Sequence, residues 1–203
     1  AITTYIKIEI WVFDKDVSIS RSIRIEVIIL VLLEDINNKP EKHIAKNEYW
    51  RQQGIKVFRC CLPVCDYVLV NAKITDVFKR KAARNIPVKM MDLVGTYNLC
   101  IVTKKDIQEL IGDVQESHER FRDEMILARN NGIRLVILVE NEGCLLKDKN
   151  GTYQNPTVLK LEDLNKWRNP RSYVYRYGKQ LHPRAMKGEQ LYKICKTMSE
   201  KYG

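Results

Sequence analysis

The chain has 203 residues, enough to bury a sizeable core in one large domain or in one domain with appendages. Its hydrophobic (45 %) and charged (30 %) fractions are those of an ordinary globular protein, but the net charge of +10 is not, and it favours polyanionic partners: nucleic acid or an anionic membrane surface. The longest apolar run, Val27 to Leu33, falls far short of the ~20 residues a spanning helix needs, and the first residues lack the pattern of a signal peptide, so no membrane partner and a cytoplasmic location are expected.

Tyr5 to Phe13 alternates or runs apolar with β-branched residues and reads as a strand. Ile23 to Leu33 reads as a second strand, apolar on both faces from Val27, which suits the middle of a sheet covered by helices. It ends in the polar loop Glu34-Asp35-Ile36-Asn37-Asn38-Lys39-Pro40. A helix is expected from Glu41 to Gln53 with Gly54 closing it, then a strand from Ile55 to Cys61 and a short one from Tyr67 to Val70. Residues 71–98 interrupt the rhythm and read as a surface insertion. Its basic run, Phe78 to Arg84, is either a solvated face or a phosphate-contacting arm with Lys79, Arg80 and Lys81 as the contacts.

Leu99 to Val102 returns as a strand. Lys105 to Gly112 and Val114 to Asn131 read as helices, the second with Val114, Phe121, Met125 and Ala128 on one core-facing stripe. Ile133 to Val139 is expected to be a strand apolar on both faces, Gly143 to Val158 a polar loop, Leu161 to Trp167 a short helix and Glu189 to Lys201 a terminal helix. Trp50 and Trp167 read as packing residues rather than base-stacking platforms. The six cysteines show no paired framework. Cys60, Cys61 and Cys65 cluster without a Cys-x-x-Cys pair or a nearby histidine, so buried thiols in a reducing compartment are expected.

Strands with helical crossovers predict an α/β fold with a mixed central sheet flanked by helices. Three parts are expected: a strand-rich extension over residues 1–24, a core over 25–140 carrying the 71–98 insertion, and a C-terminal segment over 141–203 packed on the core. Sheets of this class present their sites at strand ends. Asp35 ends one central strand, Asp66 begins another, and Lys104 and Lys105 follow a third. Two carboxylates and a lysine could bind Mg²⁺, which is content with one or two carboxylates plus phosphate oxygens. Scattered Asp and Lys at loop starts are more often caps and solvated ends.

The ordered set resembles the XPF-type nuclease domain of the excision-repair family, and within it a compact phage and bacterial branch. Val31-Leu32-Leu33-Glu34-Asp35 stands where that family has a strand and Val-Asp-Thr-Arg-Glu. Leu62-Pro63-Val64-Cys65-Asp66-Tyr67 stands where it has Leu-x-Val and Gly-Asp-Tyr. Ile101-Val102-Thr103-Lys104 stands where it has an acid, Arg and Lys before a helix, and His118-Glu119-Arg120-Phe121-Arg122 is similar to its DNA-facing helix. Trp167 to Arg171 and Pro183 to Ile194 are similar to the tail of the compact branch.

The resemblance implies a restriction-endonuclease-like three-layer core and cleavage of phosphodiester bonds in duplex or branched DNA. It implies Mg²⁺ or Mn²⁺ held by Asp35 and Asp66, assistance from Lys104, DNA contacts from His118 and Arg120, and a homodimer or heterodimer. There are departures. Val102 occupies the position of the third acid and Thr103 that of the arginine. Asn37 and Asn38 replace the Arg and Glu of the first motif, and Cys65 replaces the glycine. A valine cannot ligate a metal, so the resemblance equally implies an inactive DNA-binding relative or a partner subunit.

Overall fold

The computed structural model describes residues 6–12, 21–27, 30–140, 145–148 and 151–202. The chain divides into two compact units, Ala1–Cys100 and Ile101–Gly203.

The first unit opens with a hairpin, β1 (Ile6–Val12) paired antiparallel with β2 (Arg21–Val27). β3 (Val31–Asp35) follows, then helix α1 (Pro40–Gln52), β4 (Lys56–Cys60), β5 (Tyr67–Leu69) and helix α2 (Ala72–Ala83). The long apolar run expected as one strand is thus two strands in different sheets. Its alternating first part pairs with β1, while Val31–Asp35 joins the main sheet. The one trace of the division in the sequence is the change at Val27 from an alternating to a continuous apolar pattern, and no turn residue marks it.

β3 pairs parallel with β4, as its helical crossover through α1 allows, and antiparallel with β5. Leu32 and Leu33 are buried on opposite faces of β3, as the doubly apolar pattern predicts. α1 begins with Pro40 at its first turn and stops at Gly54, whose φ of 75° only glycine adopts at no cost. α2 starts upstream of the basic run. Asn71 caps it by accepting from the Ile74 N–H (3.0 Å), and Ile74 and Val77 are buried.

The main sheet runs β4-β3-β5-β6-β7, with β6 at Leu99–Lys104 and β7 at Arg134–Val139. This is the expected mixed central sheet of an α/β fold, flanked by helices. In the second unit, α3 (Ile107–Gln115) and α4 (His118–Asn130) are separated at Glu116 and Ser117, whereas the sequence pattern merges the turn into the longer helix. Phe121, Met125 and Ala128 are buried along α4, the stripe the spacing predicts. β7, apolar on both faces in the sequence, alternates exposed and half-buried residues: Arg134, Val136 and Leu138 lie on its more open face, and it is the last strand in the sheet order.

The expected 143–158 loop contains a hairpin, β8 (Leu145–Asp148) with β9 (Gly151–Gln154). A 3-10 turn covers Leu161–Lys166, a two-residue hairpin pairs β10 (Tyr175–Arg176) with β11 (Lys179–Gln180), and α5 (Gly188–Tyr202) closes the unit. Its core gathers Ile107, Leu110, Phe121, Leu164, Trp167 and Leu191. Gly188 is required where α5 begins, since a Cβ there would lie 2.1 Å from the Leu164 carbonyl oxygen and 2.4 Å from that of Trp167.

The cysteines depart from expectation. Cys65 and Cys100 form a disulfide across a separation of 35 residues, while Cys60, Cys61 and Cys195 are free thiols. Sequence spacing carries no trace of this pair, which meets only because of the strand order. Among the described residues no helix is long and apolar enough to cross a membrane.

Candidate functional site

The residues singled out by the sequence fall into an acidic group and the basic helix α2 in the first unit, and a separate basic group around Lys104 in the second. Asp35 closes β3, and continuing the β3–β5 register of Glu34 opposite Tyr67 sets Asp35 opposite Asp66. The Asp35 N–H donates to the Asp66 carbonyl at 2.9 Å, which fixes the two backbones side by side. Both residues are half-buried. The Asp35 carboxylate accepts from the Leu62 N–H at 3.2 Å and from the Asn37 side-chain amide at 3.2 Å. Asn37, one of the departures from the family motif, thus orients the acid it follows.

The negative charge of Asp35 is felt by its neighbours. Burial raises the Cys60 thiol, and the charges of Cys61 and then Asp35 add to it. Burial also pushes the Tyr97 hydroxyl up to about 12, with Asp35 contributing in the same direction. Cys65, in the position of the family glycine, has a φ of 74°. The left-handed turn that glycine serves is therefore kept here by a cysteine.

The basic group is organised differently. Lys104 ends β6 with only 9 % of its surface exposed, and its ammonium lies 2.6 Å from the carboxylate of Asp113 on α3. Arg120, in the first turns of α4, reaches the other Asp113 oxygen at 3.4 Å, with 78 % of its side chain exposed. Phe121 lies beneath the Lys104 ammonium, 5.3 Å from ring centre to nitrogen. Asp113 thus links two expected residues, and the sequence reading missed it. One signal was present: Asp113 stands three residues after Leu110 on the buried face of α3, where a carboxylate must have a partner.

His118 opens α4 and is exposed. On α2, Lys79 and Arg80 are exposed, with Arg80 bonded to the Asp76 carbonyl at 3.3 Å, and Lys81 pairs with Asp92 at 2.8 Å. That pair holds the Asp92 carboxyl below the usual carboxylate range. Asp92 also accepts from the Lys89 N–H (2.8 Å), and Asp106 caps α3 by accepting from the Glu109 N–H (2.8 Å). Both of these acids therefore serve structural partners. Val102, at the third acid's position, is buried at 3 % exposure.

Among the described residues no group of three or more His, Cys, Asp or Glu side chains could hold a metal ion. Asp35 and Asp66 supply two carboxylates, the number that serves Mg²⁺ when phosphate oxygens and water complete the shell. The family model of the ERCC4 domain matches residues 34–193, more than half of the chain. No curated protein and no solved structure matches it.

Proposed function

Since this chain belongs to the ERCC4-domain family, whose members include structure-specific DNA nucleases, we propose that it is a DNA endonuclease acting on duplex or branched DNA with Asp35 and Asp66 as its acidic pair. The observation that carries this reading is the backbone bond from Asp35 to Asp66, which ties together the two acids of separate family motifs. Asp35 and Asp66 would hold Mg²⁺ or Mn²⁺, which when bound supplies a water of lowered pKa and neutralises charge on the scissile phosphate. Asn37 and the Leu62 N–H orient the Asp35 carboxylate. Arg120, Lys79 and Arg80 are the exposed cations suited to phosphate contact, and the net charge of +10 attracts the polyanion.

A second reading is favoured by a specific observation. The third acid position is a buried valine, and Lys104, the family's assisting lysine, is neutralised by Asp113. On this reading the chain binds DNA without cutting it, or pairs with an active subunit.

One assay separates them: cleavage of flap, fork and linear DNA in Mg²⁺ or Mn²⁺, alongside binding at rising salt. The endonuclease reading expects cleavage that Asp66→Asn abolishes while binding survives. Binding without cleavage in either metal supports the second reading. Both expect affinity to fall steeply with salt, and salt-insensitive or absent binding overturns both.

A further inference from the structure

The acidic pair leaves a buried polar ring on β3, α1 and β5 without a role. Glu34 is 1 % exposed, Tyr67 0 % and His43 7 %. The His43 Nδ1 lies 2.6 Å from the Tyr67 hydroxyl and 3.2 Å from Glu34 Oε1. The Tyr67 hydroxyl donates to Asn47 Oδ1 at 3.0 Å, and Asn47 Nδ2 donates to Glu34 Oε2 at 2.9 Å. With a proton on Nδ1 of His43 shared between the Tyr67 hydroxyl and Glu34 Oε1, donors and acceptors link the four side chains into a ring. Trp50 stacks on the Tyr67 ring at 5.1 Å, the Lys46 ammonium lies 5.6 Å from its centre, and Arg59 Nε is 4.0 Å from Glu34 Oε2.

This arrangement is costly unless complete. A carboxylate taken out of water needs every donor it has, so loss of one member strands the others. A fully buried acid next to Leu32 and Leu33 on β3 is therefore a specific device rather than filler. Its position in the chain shows what it acts on. Glu34 precedes Asp35, Tyr67 follows Asp66, and Glu34 and Tyr67 are partners in the β3–β5 register. Side chains alternate along a strand, so the ring lies on the face opposite the Asp35 carboxylate.

We infer that His43 is a positioning residue: through Glu34 and Tyr67 it locks β3 to β5 from behind and so holds Asp35 and Asp66 side by side. The inference rests on the reading of Asp35 and Asp66 as the acidic pair, but the lock itself can be measured without cleavage. The Asp35 amide, bonded to the Asp66 carbonyl, reports it directly by hydrogen exchange, and Mn²⁺ titration reports the pair's affinity.

The test uses the full chain with His43→Ala, with His43→Asn, whose amide nitrogen can stand near the lost Nδ1, and with Ile74→Ala. Ile74 is buried on α2 outside the ring and controls for general loss of stability. The Asp35 amide is expected to exchange at least about tenfold faster in His43→Ala than in an Ile74→Ala protein compared at equal margin below its Tm. His43→Asn should restore protection, and Mn²⁺ binding should weaken only in His43→Ala. Equal exchange in the His43→Ala and Ile74→Ala proteins, or no rescue by asparagine, overturns the inference. If the parent chain binds no Mn²⁺ yet the amide still depends on His43, the lock stands and the metal reading fails. If the parent binds Mn²⁺ and His43→Ala changes neither measurement, the metal reading stands and the lock fails. Should His43→Ala not fold, Asn47→Ala opens the same ring and carries the same expectations.

Discussion

The acidic group of the first unit and the basic group of the second are stabilised in opposite ways. Asp35 is half-buried and held by a backbone N–H and a neutral amide, and among the described residues no cation pairs with it. Lys104 is buried, and an acid on the next helix neutralises it directly. The difference separates a charge held by uncharged donors from one consumed by the fold. An exposed or neutral-bonded carboxylate can still bind a cation. A buried lysine paired at 2.6 Å has little positive field left to offer a phosphate.

The sharpest way to break this contrast is to remove one acid from each group. Asp113→Ala leaves the Lys104 ammonium buried without its carboxylate, which costs about 3–5 kcal/mol of stability. Asp35→Ala removes two hydrogen bonds from uncharged donors to a carboxylate at a partly solvated strand end, where water can replace them, and should cost less, about 1–2 kcal/mol. Urea unfolding of both variants decides the matter. Similar losses would mean that Asp35 is as structural as Asp113, and the acidic pair would lose its claim to be a ligand site.

The free thiols sharpen the contrast from another side. Burial alone pushes Cys195 in the second unit up to about 11 from an ordinary 9.0. At pH 8 its thiolate fraction, and hence its alkylation by iodoacetamide, should be about 100-fold below that of an unshifted thiol. Cys60 is raised by burial first, and then by the charges of Cys61 and Asp35. Asp35→Asn should therefore speed alkylation of Cys60 a little and leave Cys195 unchanged. A Cys60 rate indifferent to Asp35→Asn would show that the Asp35 charge is already neutralised by a partner.

The fold was largely legible in the sequence, and the contrast was not. Period and turn signals located β1, β4, β5, β6, α4 and α5, because each carries an apolar pattern bounded by Gly, Pro or polar residues, while α1 was marked only by Pro40 at its start and Gly54 at its stop. They failed where two strands share one apolar run, at Ile23 to Leu33, and where a hairpin is polar, at β8 and β9. For the site, motif order drew attention to Asp35, Asp66, Lys104 and Arg120, but only tertiary pairing reveals what each charge is doing. Asp113 and His43 looked like ordinary helix residues. Their meaning comes from partners seven and more positions away, beyond the reach of one helical turn.

The smallest expected effect concerns the basic helix α2, which combines both modes. Lys81 is tied to Asp92, whereas Lys79 and Arg80 are exposed. Hydrogen bonding from Lys81, then from the Lys89 N–H, holds the Asp92 carboxyl below its ordinary 3.8. A carboxyl with a depressed folded pKa adds stability that is fully present above the unfolded value and is lost as pH falls through the folded one. The Tm gap between the parent chain and Asp92→Asn should therefore hold steady above about pH 5 and close as pH drops below the ordinary carboxylate value. The same substitution releases Lys81. If Lys81 is a phosphate contact held in reserve, Asp92→Asn tightens DNA binding slightly and steepens its salt dependence. If DNA affinity is unmoved while the Tm gap behaves as described, Lys81 belongs with Lys104 among the cations consumed by the fold, and Lys79 and Arg80 are left as the phosphate contacts of this helix.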